Sequence, residues 1–120
     1  MKYVMFELPV HVDSVRRVPV VFDEFLVHAD MAKVVLMQAS MNTAKIVSAG
    51  FYDPHTRITY DKSESLGLHS RPEDRSIILY PQLMAFGPPT APQTKKFEGV
   101  AQPLTSKAVS KINKPAPKWV

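Results

Sequence analysis

The sequence contains no cysteine. Disulfides, thiolate zinc sites and thiol catalysis are therefore excluded, and a reducing compartment fits. Glycine is scarce, found only at Gly50, Gly67, Gly87 and Gly99. That spacing builds no phosphate-cradling loop, so P-loop and dinucleotide folds are excluded. No H-E-x-x-H, G-x-S-x-G or EF-hand pattern occurs. No apolar run approaches the roughly 18 residues that span a bilayer. The stretch from Met1 to Val12 is apolar, but Glu7 and Pro9 interrupt it. It reads as a strand and not as a secretory signal.

What is present is unevenly distributed. The 120 residues carry a net charge of +4. Residues 86–120 account for +5 of it, through Lys95, Lys96, Lys107, Lys111, Lys114 and Lys118 against Glu98 alone. Residues 1–85 carry −1. Six of the eleven prolines also fall after residue 85, at Pro88, Pro89, Pro92, Pro103, Pro115 and Pro117. No apolar period survives there. The composition predicts a compact domain over 1–85 and an extended, basic, proline-rich arm over 86–120. On this division the domain folds without the arm.

Within the domain, Lys2 to Leu8 alternates, placing Val4, Phe6 and Leu8 on one face of a half-buried strand. Val15 to Phe22 is a second strand, and Pro19 makes it an edge or breaks it. Asp23 to Gln38 contains a helix with Asp30 as N-cap and Met31, Val34 and Val35 at helical spacing. Ala44 to Tyr52 and Thr56 to Tyr60 form a hairpin around Asp53-Pro54-His55. A short fifth strand is expected around Leu66. Ser70-Arg71-Pro72-Glu73 has the form of a capping box, and Pro81 ends or kinks the helix it starts. The expected fold is α+β: a small antiparallel sheet of four to five strands packed by two short helices, with an extended Pro/Lys-rich C-terminal arm.

The candidate chemistry is sparse. His28 with Asp30 offers two metal ligands, and His69, Ser70 and Asp74 offer the residue types of a hydrolytic site. Helix capping accounts for Asp30, Ser70 and Glu73 without either site. Asp23-Glu24 and Glu73-Asp74 are adjacent carboxylates, for which solvated or capping roles are expected. Arg16, Arg17 and Arg57 beside Phe51, Tyr52 and Tyr60 form the residue set of a single-strand nucleic-acid surface. The slightly negative domain argues against that use, so cross-strand packing is the preferred account. No catalytic residue, metal or cofactor is expected.

Three stretches carry a resemblance. They are Phe22-x-x-Phe25-Leu26-Val27-His28-Ala29-Asp30, Val47-Ser48-Ala49-Gly50-Phe51, and Ser63-Glu64-Ser65-Leu66-Gly67-Leu68-His69-Ser70-Arg71-Pro72-Glu73-Asp74. In that order the chain resembles short, uncharacterised proteins of tailed bacteriophages and prophages, over about residues 2–80. The resemblance implies a virion or a bacterial host cytoplasm as the setting, and it brings no activity with it.

The arm supplies the expected function. Phe97, Leu104, Ile112 and Trp119 are apolar anchors spaced too widely for one helix face, with prolines between them. Such a segment lies extended along a neighbour. The expectation is a structural or assembly protein, part of an oligomer or larger complex, that contacts other protein subunits through these anchors and the six arm lysines. The alternative is an accessory protein whose basic arm lies on nucleic-acid phosphates.

Overall fold

The structure is a computed structural model that describes residues 1–91 and Gln93. The arm anchors Phe97, Leu104, Ile112 and Trp119, and Lys95, Lys96, Lys107, Lys111, Lys114 and Lys118, lie outside the described residues. The fold is α+β, a curled antiparallel sheet with short helices on both faces.

Strand β1 (Lys2–His11) turns through Val12-Asp13 into β2 (Ser14–Phe22). Helix α1 (His28–Leu36) and a single 3₁₀ turn (Ala39–Met41) lead to β3 (Lys45–Asp53), which turns into β4 (Ile58–Tyr60). A separate small hairpin pairs β5 (Lys62–Ser63) with β6 (Leu68–His69). Helix α2 (Asp74–Leu79) and the single-turn α3 (Pro81–Met84) follow, then β7 (Phe86–Gly87). The main sheet runs β4-β3-β1-β2-β7, antiparallel throughout.

Strand β1 is central, so both its faces are covered. Val4 and Phe6 join Phe22 and Ala49 beneath Ala32 and Val35 of α1. Tyr3 and Met5 join Val47 and Tyr52 beneath Ile77 of α2. The half-buried strand read from Val4, Phe6 and Leu8 is thus corrected: residues 2–7 are buried on both faces. Helix α1 buries His28, Ala32 and Val35, at the i, i+4, i+7 spacing of one face. Its N-cap is Val27; Asp30 is exposed in the first turn, where its charge favours the helix dipole without capping it. The expected strand at Leu66 is instead the turn between β5 and β6.

Pro19 sits where its missing donor costs nothing. Arg17 N–H points away from β1, donating to Ala85 O at 2.6 Å. Pro19, two residues on, has its nitrogen on that same outer edge. In the β3–β4 turn, Asp53 Oδ1 accepts from His55 N–H at 2.8 Å, which holds the Asp53 carboxyl below its ordinary range. Gly50 is required by a close approach. A side-chain carbon there would lie 2.7 Å from Tyr60 O and 2.9 Å from Ser70 Cβ. Among the described residues no helix is long and apolar enough to cross a membrane.

The chain does not leave the body at Ala85. Phe86 and Gly87 pair with Arg16 and Val15 of β2. Past Pro88 and Pro89 the chain crosses over Glu7, which accepts from both the N–H and the hydroxyl of Thr90. Gln93 is buried and brackets His69: its Oε1 accepts from His69 N–H at 2.8 Å and its Nε2 donates to His69 O at 3.1 Å. The side-chain amide stands in for a strand on that edge. Residues 86–91 and 93 therefore belong to the packed body, beyond the boundary expected at Ala85. The reason is that two polar side chains satisfy buried groups that composition alone does not reveal.

A chain ending at residue 85 should consequently be less stable than one ending at residue 93, by about 3 kcal/mol for the uncovered Glu7 and His69 groups. Urea unfolding of the two truncated chains measures this; equal midpoints would mean that residues 86–93 add nothing to the fold.

Candidate interaction site

Tyr3, Met5 and Glu7 alternate onto the α2 side of β1. That side carries a polar clamp. Asp74 is wholly buried, and its Oδ2 accepts from Tyr3 Oη and Ser48 Oγ, each at 2.6 Å. Its Oδ1 accepts from Arg71 Nε at 3.0 Å and Nη2 at 2.7 Å. Arg71 Nη1 donates to Thr90 Oγ1 at 3.1 Å, and the Thr90 hydroxyl in turn donates to Glu7. Arg17 Nε lies 3.2 Å from Glu7 Oε2, and Arg17 Nη2 donates to Pro88 O at 2.6 Å. Gly87 is seated against the Arg17 guanidinium, where a side chain would collide. Carboxylate and guanidinium alternate along this path, so each buried charge meets an opposite one.

The expected helix-start chemistry is corrected here. Helix α2 begins at Asp74 with Glu73 as its N-cap residue, and Ser70 makes no capping bond. Asp74 is not a solvated first-turn carboxylate; it is the centre of the clamp. The hydrolytic set does not assemble either. His69 Nδ1 faces the Ser70 carbonyl at 2.9 Å, and the Asp74 oxygens are held by Tyr3, Ser48 and Arg71.

The two-ligand metal reading fares similarly. His28 is buried between Phe22 and Phe51, edge-on to both rings, with Nε2 2.7 Å from Gly50 O. A carbonyl only accepts, so Nε2 carries the proton. Asp30 is exposed. Among the described residues no group of three or more His, Asp or Glu could hold a metal ion.

The basic patch is also dispersed. Arg16 lies on β2 and Arg57 precedes β4, at opposite ends of the strand order. Arg17 faces Glu7. Phe51 and Tyr60 are a stacked cross-strand pair, with ring centroids 5.7 Å apart.

Beside the clamp lies a feature absent from the sequence reading. Tyr80, Leu83, Met84 and Phe86 are all exposed, Leu83 at 81% and Phe86 at 63%. Leu83 and Met84 N–H groups both bond to Tyr80 O, so these three residues share one helical turn. Two open grooves flank Phe86. One, of about 420 Å³, is lined by Arg16, Val18, Pro19, Pro81 and Gln82. The other, of about 460 Å³, is lined by Arg71, Glu73, Ile77, Leu83 and Met84. Other exposed apolar residues occur in smaller groups: Val10 and Val12 around the β1–β2 turn, Phe25 and Leu26 before α1, and Val34 and Met37 at its end. Four large apolar side chains within seven residues form a contiguous platform of the kind that marks an interaction site.

Two outcomes test the clamp. Asp74→Ala leaves the Arg71 charge buried without its partner and should cost about 3–5 kcal/mol in urea unfolding. Ser70→Ala should change stability by less than about 0.5 kcal/mol, since no cap is lost. A cost near 1 kcal/mol for Ser70→Ala would restore the capping box.

The Tyr3 phenol is pushed well above its ordinary value, first by burial and then by the Asp74 charge. Below about pH 10 the phenol is protonated in folded and unfolded chains alike, and its contribution to stability is complete. Above that pH the unfolded chain alone releases this proton, so stability falls as pH rises. Tyr3→Phe should remove this part of the alkaline slope, and should cost about 1–2 kcal/mol at neutral pH through the lost bond to Asp74. Urea midpoints across an alkaline pH series measure both, and an unaltered slope would show that Tyr3 ionises in the folded state.

Comparison with protein-family models, curated proteins and solved structures finds no match to the chain.

Proposed function

We propose that the chain is a non-enzymatic structural or assembly protein that docks on neighbouring protein subunits through residues 94–120. The setting is the one its phage-protein resemblance implies, a component of a virus particle. The observation that carries this reading is the fastening of residues 86–91 and Gln93 to the body. Thr90 on Glu7 and Gln93 on the His69 backbone fix the point from which the following chain departs. A segment launched from a fixed point loses less freedom when it binds than one launched from a free end. Beyond that point the sequence supplies the anchors Phe97, Leu104, Ile112 and Trp119 and six lysines.

The body gives the nucleic-acid alternative little support. Arg17 and Arg71 are engaged by Glu7 and Asp74, and Arg16 and Arg57 are distant. The enzymatic alternative has less. The described polar cluster consists of donors and acceptors that satisfy one another.

Co-sedimentation of the full chain with its native assembly tests the reading. Trp119→Ala should weaken incorporation by about 30-fold, the effect of losing an interface anchor worth roughly 2 kcal/mol. Changing the six arm lysines to Gln should weaken it moderately. A silent Trp119→Ala, with binding abolished by the lysine changes and by salt, would replace docking on protein with docking on phosphates.

A further inference from the structure

We propose that the platform of Tyr80, Leu83, Met84 and Phe86 is the acceptor for residues 114–119 of a neighbouring copy of this chain. The proposal deepens the reading of Trp119 as an anchor by naming what receives it. Both sides of the match are legible. The segment reads Lys114-Pro115-Ala116-Pro117-Lys118-Trp119. Two prolines spaced by one residue favour an extended polyproline conformation that docks on aromatic ledges. Lacking N–H groups, they ask no hydrogen bond of the surface beneath. The platform offers the exposed Tyr80 and Phe86 rings, and Pro88 and Pro89 line one groove with Leu83, Met84 and Phe86.

Charge fits the same pairing. The wider groove is bordered by Glu73, whose side chain is 62% exposed. Its cationic neighbour among the described residues, Arg71 Nε at 3.8 Å, is held more tightly by Asp74. Glu73 is thus available to a lysine that arrives with the segment, and Lys118 directly precedes Trp119. The grooves either side of Phe86 are open, and a cleft of about 460 Å³ is ample for an indole. Reach imposes no restriction. Residues 94–119, fully extended, cover on the order of 85 Å. Docking on neighbouring subunits makes a second copy the donor of the segment, and dilution tests this.

The single tryptophan makes the test direct, since its fluorescence reports on residue 119 alone. In the purified full-length protein the emission should be blue-shifted and shielded from acrylamide. Leu83→Asp and Phe86→Asp should each weaken docking about tenfold, as expected for a central contact, and return the emission to that of a solvated indole. Both side chains are exposed, and an unchanged melting transition confirms that the body remains folded. Val12→Asp, at an exposed apolar site elsewhere, should leave the emission unmoved. Glu73→Lys should expose the indole, and Lys118→Glu in the same chain should restore its protection. The protection should decay on dilution, as a contact between copies requires; protection that persists on dilution would assign the segment to its own molecule and overturn the proposal. A solvated indole at every concentration overturns the proposal, as does protection that Leu83→Asp, Phe86→Asp and Glu73→Lys all leave intact. Either result would leave Trp119 free to anchor on a different partner, so the co-sedimentation test stands independently.

Discussion

A buried carboxylate must be neutralised from within, and the body is arranged around one. Asp74 has no contact with solvent, yet it opens helix α2. An isolated carboxylate there would cost several kcal/mol through lost hydration. Four donors on three separate segments offset that cost: Tyr3 from β1, Ser48 from β3, and the side chain and backbone of Arg71. Each donor fixes a distance. Together they set where α2 rests on the sheet, and so where Ile77 enters the core between Tyr3, Met5, Val47 and Tyr52. The apolar contacts supply the bulk of the stability, and the carboxylate selects their register.

The same logic carries outward to the C-terminal crossing. Arg71 turns its remaining nitrogen to Thr90, and Thr90 bonds to Glu7, itself almost fully buried on the central strand. Glu7 and Thr90 are 83 positions apart in the chain. Closing so long a loop is entropically unfavourable, though the cost grows only slowly with length. Two bonds to one carboxylate, with Arg17 gripping both that carboxylate and Pro88, return enough to hold the crossing. Gln93 then ends it by pairing with a backbone that would otherwise present an open edge.

This geometry explains which features were legible in the sequence. Strands β1, β2 and β3 stand where local period put them, and the β3–β4 hairpin forms with its second strand starting at Ile58 and not Thr56. Helix α1 forms where its period lies, but it starts at His28 and turns Val34, read as part of its buried face, to solvent. Full burial of β1 was also readable, because Tyr3, Val4, Met5 and Phe6 form a continuous apolar run. The capping box at Ser70 was locally sound but was overridden, since burying Asp74 against Tyr3 and Ser48 required the helix to start later. Nothing near Glu7 announces Thr90, and nothing near His69 announces Gln93. Such long-range polar pairs leave no periodic trace, so proline content alone moved the domain boundary to Ala85. The platform was hidden for a different reason. Pro81 reads as a helix stop, and only the placement of α3 on the outside of the body leaves Leu83 and Phe86 without cover.

The edges of the sheet narrow how the molecule can associate. Strand β4 has three residues and β7 two, both too short to template a partner strand. Strand β2 offers a longer edge, but Ala85 and β7 occupy its first part and Pro19 removes the next outward donor. Association by strand addition therefore has little backbone to use among the described residues. What the body presents instead is side-chain surface: an apolar turn at α3, a projecting Phe86 and two open grooves. A surface of that kind binds by filling pockets and discriminates by the shape and charge of what enters. It suits a short apolar segment with a cation beside its anchor better than an extended strand, and it puts the burden of recognition on a few side chains and not on the sheet.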